Sequence, residues 1–283
     1  MSYRAEISRA NPTAFVFLVD QSASMSEELE AGVSKAHFLA DVLNKTLMEL
    51  VIQCRKAEGI LDYFDVGVLG YSNSSVRPGF GGSLSGLHLT QVSALAQSPL
   101  RVETRRRKVP DGTGGLVETE VKFPVWFDPQ ADGGTPMCAG LRTASQLVRE
   151  WCNAHPRSFP PTVLHITDGE ATDGDDKQVL MSSAEVTKQA TQDGSALLLT
   201  LHVSGHGGAP IKFPSQENTL PNSYAKLLFQ MSSALPPAVL DRVRSSGLPA
   251  GEGCRGYVFN GRMEEVLRFF EIGTRPRLSG GDR

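Results

Sequence analysis

Four short segments of this chain are apolar at half or more of their positions, and three of them are followed by a polar turn and then a helical pattern. They are residues 14–19 (AFVFLV), 64–71 (FDVGVLGY), 162–167 (TVLHIT) and 196–203 (ALLLTLHV). A strand with one wet face would alternate apolar and polar side chains, whereas a near-continuous apolar run belongs to a strand covered on both faces. Strands of this kind alternating with helices call for a mostly parallel sheet between two helical layers. The fold class expected is therefore α/β, doubly wound, with a mostly parallel sheet.

The helical patterns fill the intervals. Over residues 27–55, Leu29, Val33, Ala36, Ala40, Leu43, Leu47 and Leu50 recur every three or four positions, and Glu27, Glu28 and Glu30 suit a first turn. Further helices are expected over 137–153, 178–192, 220–234 (stopped by Pro236 and Pro237) and 263–273, where Val266, Phe269 and Phe270 face inward. A last edge strand is expected at 257–259. Residues 73–90 read as loop. Residues 101–109 and 116–127 flank the turn DGTGG (111–115) as a β-hairpin. Its first arm carries Arg105, Arg106, Arg107 and Lys108, which suit a solvated rim or a patch for an acidic partner. The organisation expected is one domain over 1–275, with an insertion at 73–130 and a loose tail at 276–283.

Bulk properties narrow the function classes. A hydrophobic content of 40% supports a sizeable core, and a net charge of -3 gives no global field toward nucleic acid or anionic lipid. No segment approaches the ~20 apolar residues of a membrane span. The first residues lack the apolar stretch of a secretory signal, so a cytoplasmic location is expected. Cys54, Cys138, Cys152 and Cys254 have no metal or disulfide spacing and read as buried free thiols.

Three polar motifs share a position as well as a composition. Asp20-Gln21-Ser22-Ala23-Ser24 follows the first strand, Gly133-Gly134-Thr135-Pro136 precedes a helix, and Asp168-Gly169-Glu170 follows the TVLHIT strand. Open α/β sheets bind ligands beyond the carboxyl ends of their strands, where the strand order reverses. If the first and TVLHIT strands are neighbours there, Asp20, Ser22, Ser24, Thr135 and Asp168 converge. All five offer hard oxygen donors, which select Mg²⁺, Mn²⁺ or Ca²⁺ over zinc. Held largely by neutral hydroxyls, such an ion stays electrophilic and seeks one more anionic oxygen.

D-x-S-x-S, G-G-T-P and T-D-G, in that order and at those strand ends, resemble the von Willebrand factor type A (VWA) domain with its metal-ion-dependent adhesion site. The resemblance implies a six-stranded, mostly parallel Rossmann-like sheet with an antiparallel edge strand or hairpin and helices on both faces. It also implies that Ser22, Ser24 and Thr135 contact the metal, while Asp20 and Asp168 act through water or hold the hydroxyls. The hairpin and the ending T-D-G-E-A-T-D are similar to those of stand-alone bacterial cytoplasmic VWA proteins. Some of these, of the tellurite-resistance-associated type, are encoded beside a protein kinase and a PP2C-type phosphatase. The function implied is a non-enzymatic protein-protein interaction module in a stress, signalling or defence-associated complex. Its metal would grip an Asp or Glu of a partner such as that kinase or phosphatase.

Other readings are weaker. A Mg²⁺-dependent phosphohydrolase would use Asp20 as nucleophile, but Ser22 stands where its general acid would be. A purely structural subunit is the third reading. Asp173, Asp175 and Asp176 do not follow EF-hand spacing and suit helix capping. Residues 204–208 (SGHGG) lack a phosphate-loop lysine. His165 and His202 fit core or rim positions satisfied by hydrogen bonds.

Overall fold

The computed structural model describes residues 3–30, 32–110, 116–204, 208–248 and 250–274. The expected tail and the DGTGG turn therefore lie outside the described residues, as do the three central residues of SGHGG.

The first strand, β1 (Thr13–Asp20), is buried along its whole length. Helix α1 (Lys35–Gln53) leads to β2 (Phe64–Ser72), which turns back into β3 (Ser75–Pro78). The two-residue strand β4 (Thr90–Gln91) and helix α2 (Val92–Gln97) precede the hairpin arms β5 (Arg101–Pro110) and β6 (Leu116–Val125). Then come α3 (Met137–Ala154), β7 (Thr162–Thr167), α4 (Asp176–Lys188) and β8 (Leu197–Val203). The remainder is β9 (Ile211–Lys212), α5 (Ser223–Met231), α6 (Pro237–Ser245), β10 (Tyr257–Gly261) and α7 (Met263–Thr274).

The main sheet runs β9-β10-β8-β7-β1-β2-β3, with β4 also on β2. Strands β10, β8, β7, β1 and β2 are parallel, and short antiparallel strands close both edges. The expected α/β class thus holds, and the edge strands raise the sheet to eight strands. The chain lays β2 on one side of β1 and β7 on the other, so the order reverses at the β1/β7 pair.

Two-residue periodicity divides β1 between two cores. Phe15, Phe17 and Val19 pack toward α1, α6 and α7, whereas Ala14, Val16 and Leu18 pack toward α3, α4 and α5. Both faces of the central strand are dry, which is why its sequence does not alternate. All four cysteines are free and buried. Among the described residues no helix is long and apolar enough to cross a membrane.

Several elements differ from the sequence reading. The helix expected from residue 27 begins at Lys35, capped by the Ser34 hydroxyl, which accepts from the His37 amide at 3.3 Å. Residues 23–30 instead form a 3₁₀ turn and part of a small ribbon, Glu28–Glu30 against Val33–Ser34. Glu27 and Glu28 are therefore outside the first turn, and Glu28 accepts from the Gly32 amide at 2.7 Å. The helix expected to 192 ends at Lys188, and the one expected at 220–234 covers only Ser223–Met231. Pro236 and Pro237 do more than stop a helix. Pro237 opens α6, since a first helical residue needs no amide hydrogen. The segment at 257–261 is not the edge, because β9 pairs on its outer side. Residues 73–90 hold β3, reached through Asn73 in the left-handed region at φ 53°.

The hairpin insertion is fixed to the body through Asn44 on α1, which is buried. Its Oδ1 accepts from the Trp126 and Phe127 amides at 2.8 and 3.1 Å. Its Nδ2 donates to the Ala40 and Phe127 carbonyls at 2.9 and 2.8 Å. In the arm, Arg105 pairs with Asp41 and Glu103 and lies over the Phe123 ring. Asn44→Ala strands the two amides and the Phe127 carbonyl in a dry site, so a loss of about 3 kcal/mol in urea unfolding is expected. A loss below about 1 kcal/mol, the worth of one ordinary hydrogen bond, would contradict this anchoring.

Candidate metal centre

The site grows from the ends of two neighbouring strands. In the β1/β7 register, Val19 lies opposite Ile166, so Asp20 and Thr167 emerge side by side. Thr167 Oγ1 donates to Asp20 Oδ2 at 2.7 Å, and the Ser22 amide donates to Asp20 Oδ1 at 2.9 Å. Those two donors satisfy a carboxylate that has no exposed surface. The second bond also bends the chain after β1, so Ser22 and Ser24 turn back over the strand ends. Their hydroxyls lie 3.1 Å apart, and Ser24 Oγ donates to Asp168 Oδ1 at 2.7 Å.

A second loop, residues 132–136, delivers Thr135. The Ala23 amide donates to the Gly133 carbonyl at 2.9 Å, and the Asp132 amide donates to the Gln21 carbonyl at 2.8 Å. Gly133 has φ +68°, a left-handed conformation that favours glycine. The third loop, after β7, joins the second reciprocally. The Thr135 amide donates to Thr172 Oγ1, and the Thr172 amide donates to the Thr135 carbonyl, both at 2.9 Å. Each pair of loops is therefore hydrogen-bonded to the other, which fixes the cluster without support from the hairpin.

Asp20, Ser22, Ser24, Thr135 and Asp168 all belong to this cluster. Gly169 brings the Thr135 and Ser24 hydroxyls into relation, because a Cβ added there would sit 3.8 Å from Thr135 Oγ1 and 3.9 Å from Ser24 Oγ. A methyl group there would stand in ordinary contact with both hydroxyls. Among the described residues no group of three or more His, Cys, Asp or Glu could hold a metal ion. A metal here would thus rest on mixed hydroxyl and carboxylate oxygens, a donor set that fits Mg²⁺, Mn²⁺ or Ca²⁺.

Charge at the site is unevenly distributed. Burial pushes the Asp20 carboxyl up from 3.8 to about 6, against the hydrogen bonds from Ser22 and Thr167 that favour its ionised form. The Asp168 side chain is fully covered and meets Lys35 Nζ at 2.8 Å. Lys35 also contacts Glu27 at 2.7 Å. Burial disfavours its ammonium, but the bonds to Asp168 and Glu27 outweigh that and hold its pKa above the ordinary value.

Sequence reasoning missed Thr167, Thr172, Lys35 and Tyr224, whose hydroxyl donates to the Gly169 carbonyl. For Lys35 a signal existed. A lysine directly after the capping Ser34 opposes the helix dipole, so it needs a partner elsewhere. The acidic run resolves as capping: Asp175 caps α4, and Asp173 accepts from the Cys138 and Ala139 amides at the start of α3. His202 lies against Tyr224 and Phe259. His165 bonds Tyr71 through Nε2 at 2.8 Å and is held neutral by burial, which lowers it to about 3.

No protein-family model matches this chain, and no curated protein matches it. Among solved structures, a von Willebrand factor type A protein from Catenulispora acidiphila is 12% identical with TM-score 0.40, covering 69% of this chain and 34% of its own. This chain therefore spans about a third of that protein. Manganese-loaded TRAP protein of Plasmodium vivax is also 12% identical at TM-score 0.40, covering 92% and 72%. The PilB minor pilin of Streptococcus sanguinis is 11% identical at TM-score 0.40, covering 92% and 60%. Likeness at this level fixes neither a metal nor a partner, and the fold class rests on the strand order of the main sheet.

Asp20 makes the metal-free protein sensitive to pH in a defined direction. Its folded pKa lies above the unfolded value, so the folded state binds the extra proton and its stabilisation is complete below about pH 4. That contribution disappears as pH rises through about 6, a loss of roughly 3 kcal/mol. Asp20→Asn keeps both hydrogen bonds, with Nδ2 donating to Thr167 and the Thr167 proton turning to the Gly169 carbonyl, already 3.1 Å away. In chelator, the variant is expected to be the more stable protein at pH 8 and to lose this advantage at pH 4. Thermal melts giving equal stability at pH 8 would contradict the buried charge.

Proposed function

We propose that this chain is a metal-dependent protein-binding module of the von Willebrand factor type A kind. A single divalent ion at Asp20, Ser22, Ser24, Thr135 and Asp168 would take an acidic side chain of a partner protein. The observation that supports this reading most is the convergence of three separated motifs on one point above the β1/β7 pair, the position where open α/β sheets present their ligands.

The chemistry of the donors gives the rest. Ser22, Ser24 and Thr135 would contact the ion as neutral oxygens, and Asp20 and Asp168 would hold the hydroxyls in place or act through water. Such an ion keeps much of its charge and supplies electrostatic attraction for a carboxylate. The chain's own part is positioning: the Thr167 bond fixes Asp20, and the Thr172 bonds fix Thr135. The fit to Mg²⁺ or Mn²⁺ is the closer, since hard oxygen donors joined by retained waters suit ions of that size.

A phosphohydrolase using Asp20 as nucleophile is disfavoured. Both oxygens of that carboxylate are engaged and the residue has no exposed surface. No observation favours a purely structural role. The partner is proposed to be a cytoplasmic protein with an exposed Asp or Glu, for which a kinase or phosphatase of a bacterial stress response is a suitable candidate class.

Thr135→Ala removes one hydroxyl but keeps the backbone bonds of the loop, so its fold is expected to survive. Partner capture from lysate is expected to fall at least about tenfold with this variant, and equally when wild type is treated with EDTA. Capture that neither change reduces would refute the reading.

A further inference from the structure

The strongest unexplained feature is a buried cation within the proposed anion-seeking site. Lys35 is the first residue of α1, and only 6% of its side chain is exposed. Its ammonium has three hydrogens and three acceptors within reach: Glu27 Oε2 at 2.7 Å, Asp168 Oδ2 at 2.8 Å and the Ser24 carbonyl at 3.5 Å. No donor is left for an incoming ligand, so Lys35 is not itself a receptor for a partner's carboxylate. Two of its three acceptors belong to residues of the proposed metal set, Ser24 and Asp168.

We propose that Lys35 is a tethered counter-ion that holds the site assembled without metal and competes with the divalent ion for Asp168. This inference rests on the metal-binding reading of the site. Asp168 receives Ser24 on one oxygen and Lys35 on the other, so the ammonium neutralises one of only two carboxylates the site offers an ion. Within a buried site, where like charges repel strongly, the ammonium opposes any divalent ion that approaches the Ser24 and Asp168 oxygens. The structure also provides a second seat. Glu27 bonds Lys35 while 60% of its own side chain is exposed, so Lys35 can stay paired with Glu27 after releasing Asp168. Two arrangements result: an ammonium shared by Asp168 and Glu27, and one held by Glu27 alone while the ion takes Asp168. Lys35 thereby sets how much free metal the site needs.

Lys35→Met keeps the length of the stem and removes the charge. By titration calorimetry with MnCl₂ alone, the variant is expected to bind Mn²⁺ at least about tenfold more tightly than wild type. Its melting temperature in chelator should fall below that of wild type and recover at saturating Mn²⁺. Folded Lys35→Met that binds Mn²⁺ no more tightly than a binding-competent wild type overturns the competition and leaves the metal reading standing. Millimolar Mn²⁺ binding to neither protein overturns both, whereas binding to the variant alone supports strong competition. Should the variant fail to fold, ¹⁵N NMR of the Lys35 ammonium in wild type decides. Its resonance should shift on Mg²⁺ saturation, and a resonance unmoved at saturation overturns the proposal.

Discussion

The hydrogen bond from Thr167 to Asp20 joins the ends of two neighbouring parallel strands, and the candidate site is built around it. A carboxylate at the end of the central strand loses its hydration, and that loss must be made good by donors at short range. The next strand supplies one and the amide two residues on supplies the other. Satisfying the second bends residues 21–24 back over the sheet, which is what brings Ser22 and Ser24 into the same space as Asp168. A single buried charge therefore dictates both the turn and the neighbour.

The same economy explains the other charges. Asp168 is covered and could not stand alone, so a lysine at the start of α1 pairs with it despite the unfavourable end of the helix dipole. The cluster holds few charges and many hydroxyls. It can stay assembled without an ion because every carboxylate oxygen has a donor. A divalent ion would ask only that the hydroxyls turn, which costs little. An arrangement richer in carboxylates would hold a metal more firmly but would leave it less able to attract an external acid.

Legibility in the sequence depended on the strength of local signals. The strand at 14–19 was plain because burial on both faces removes polar residues from it, and 162–167 showed through its β-branched residues. Their order around the reversal point brings the five candidate side chains together above one end of the sheet. Failures came where tertiary partners decide. Leu29 and Val33 matched a helical period, yet they lie in a ribbon, and the Ser34 cap sets the true start of α1. Pro236-Pro237 carried both a stop and a start, and the start of α6 shows only once Val239, Leu240 and Val243 are seen packed in the core. Thr167 stood in the T-D-G motif without a role of its own, because its partner Asp20 lies 147 positions away in sequence. The strand at 257–261 gained an outer neighbour from a two-residue segment too short to show any period.

Crystals of the wild-type protein grown with millimolar MnCl₂, measured at the manganese absorption edge, put the central claim to its most direct test. One anomalous peak is expected, bounded by the hydroxyls of Ser22, Ser24 and Thr135, with Asp20 and Asp168 beside it. A fully formed fold with no peak there, or with manganese only at other positions, would contradict a metal centre built from these five residues.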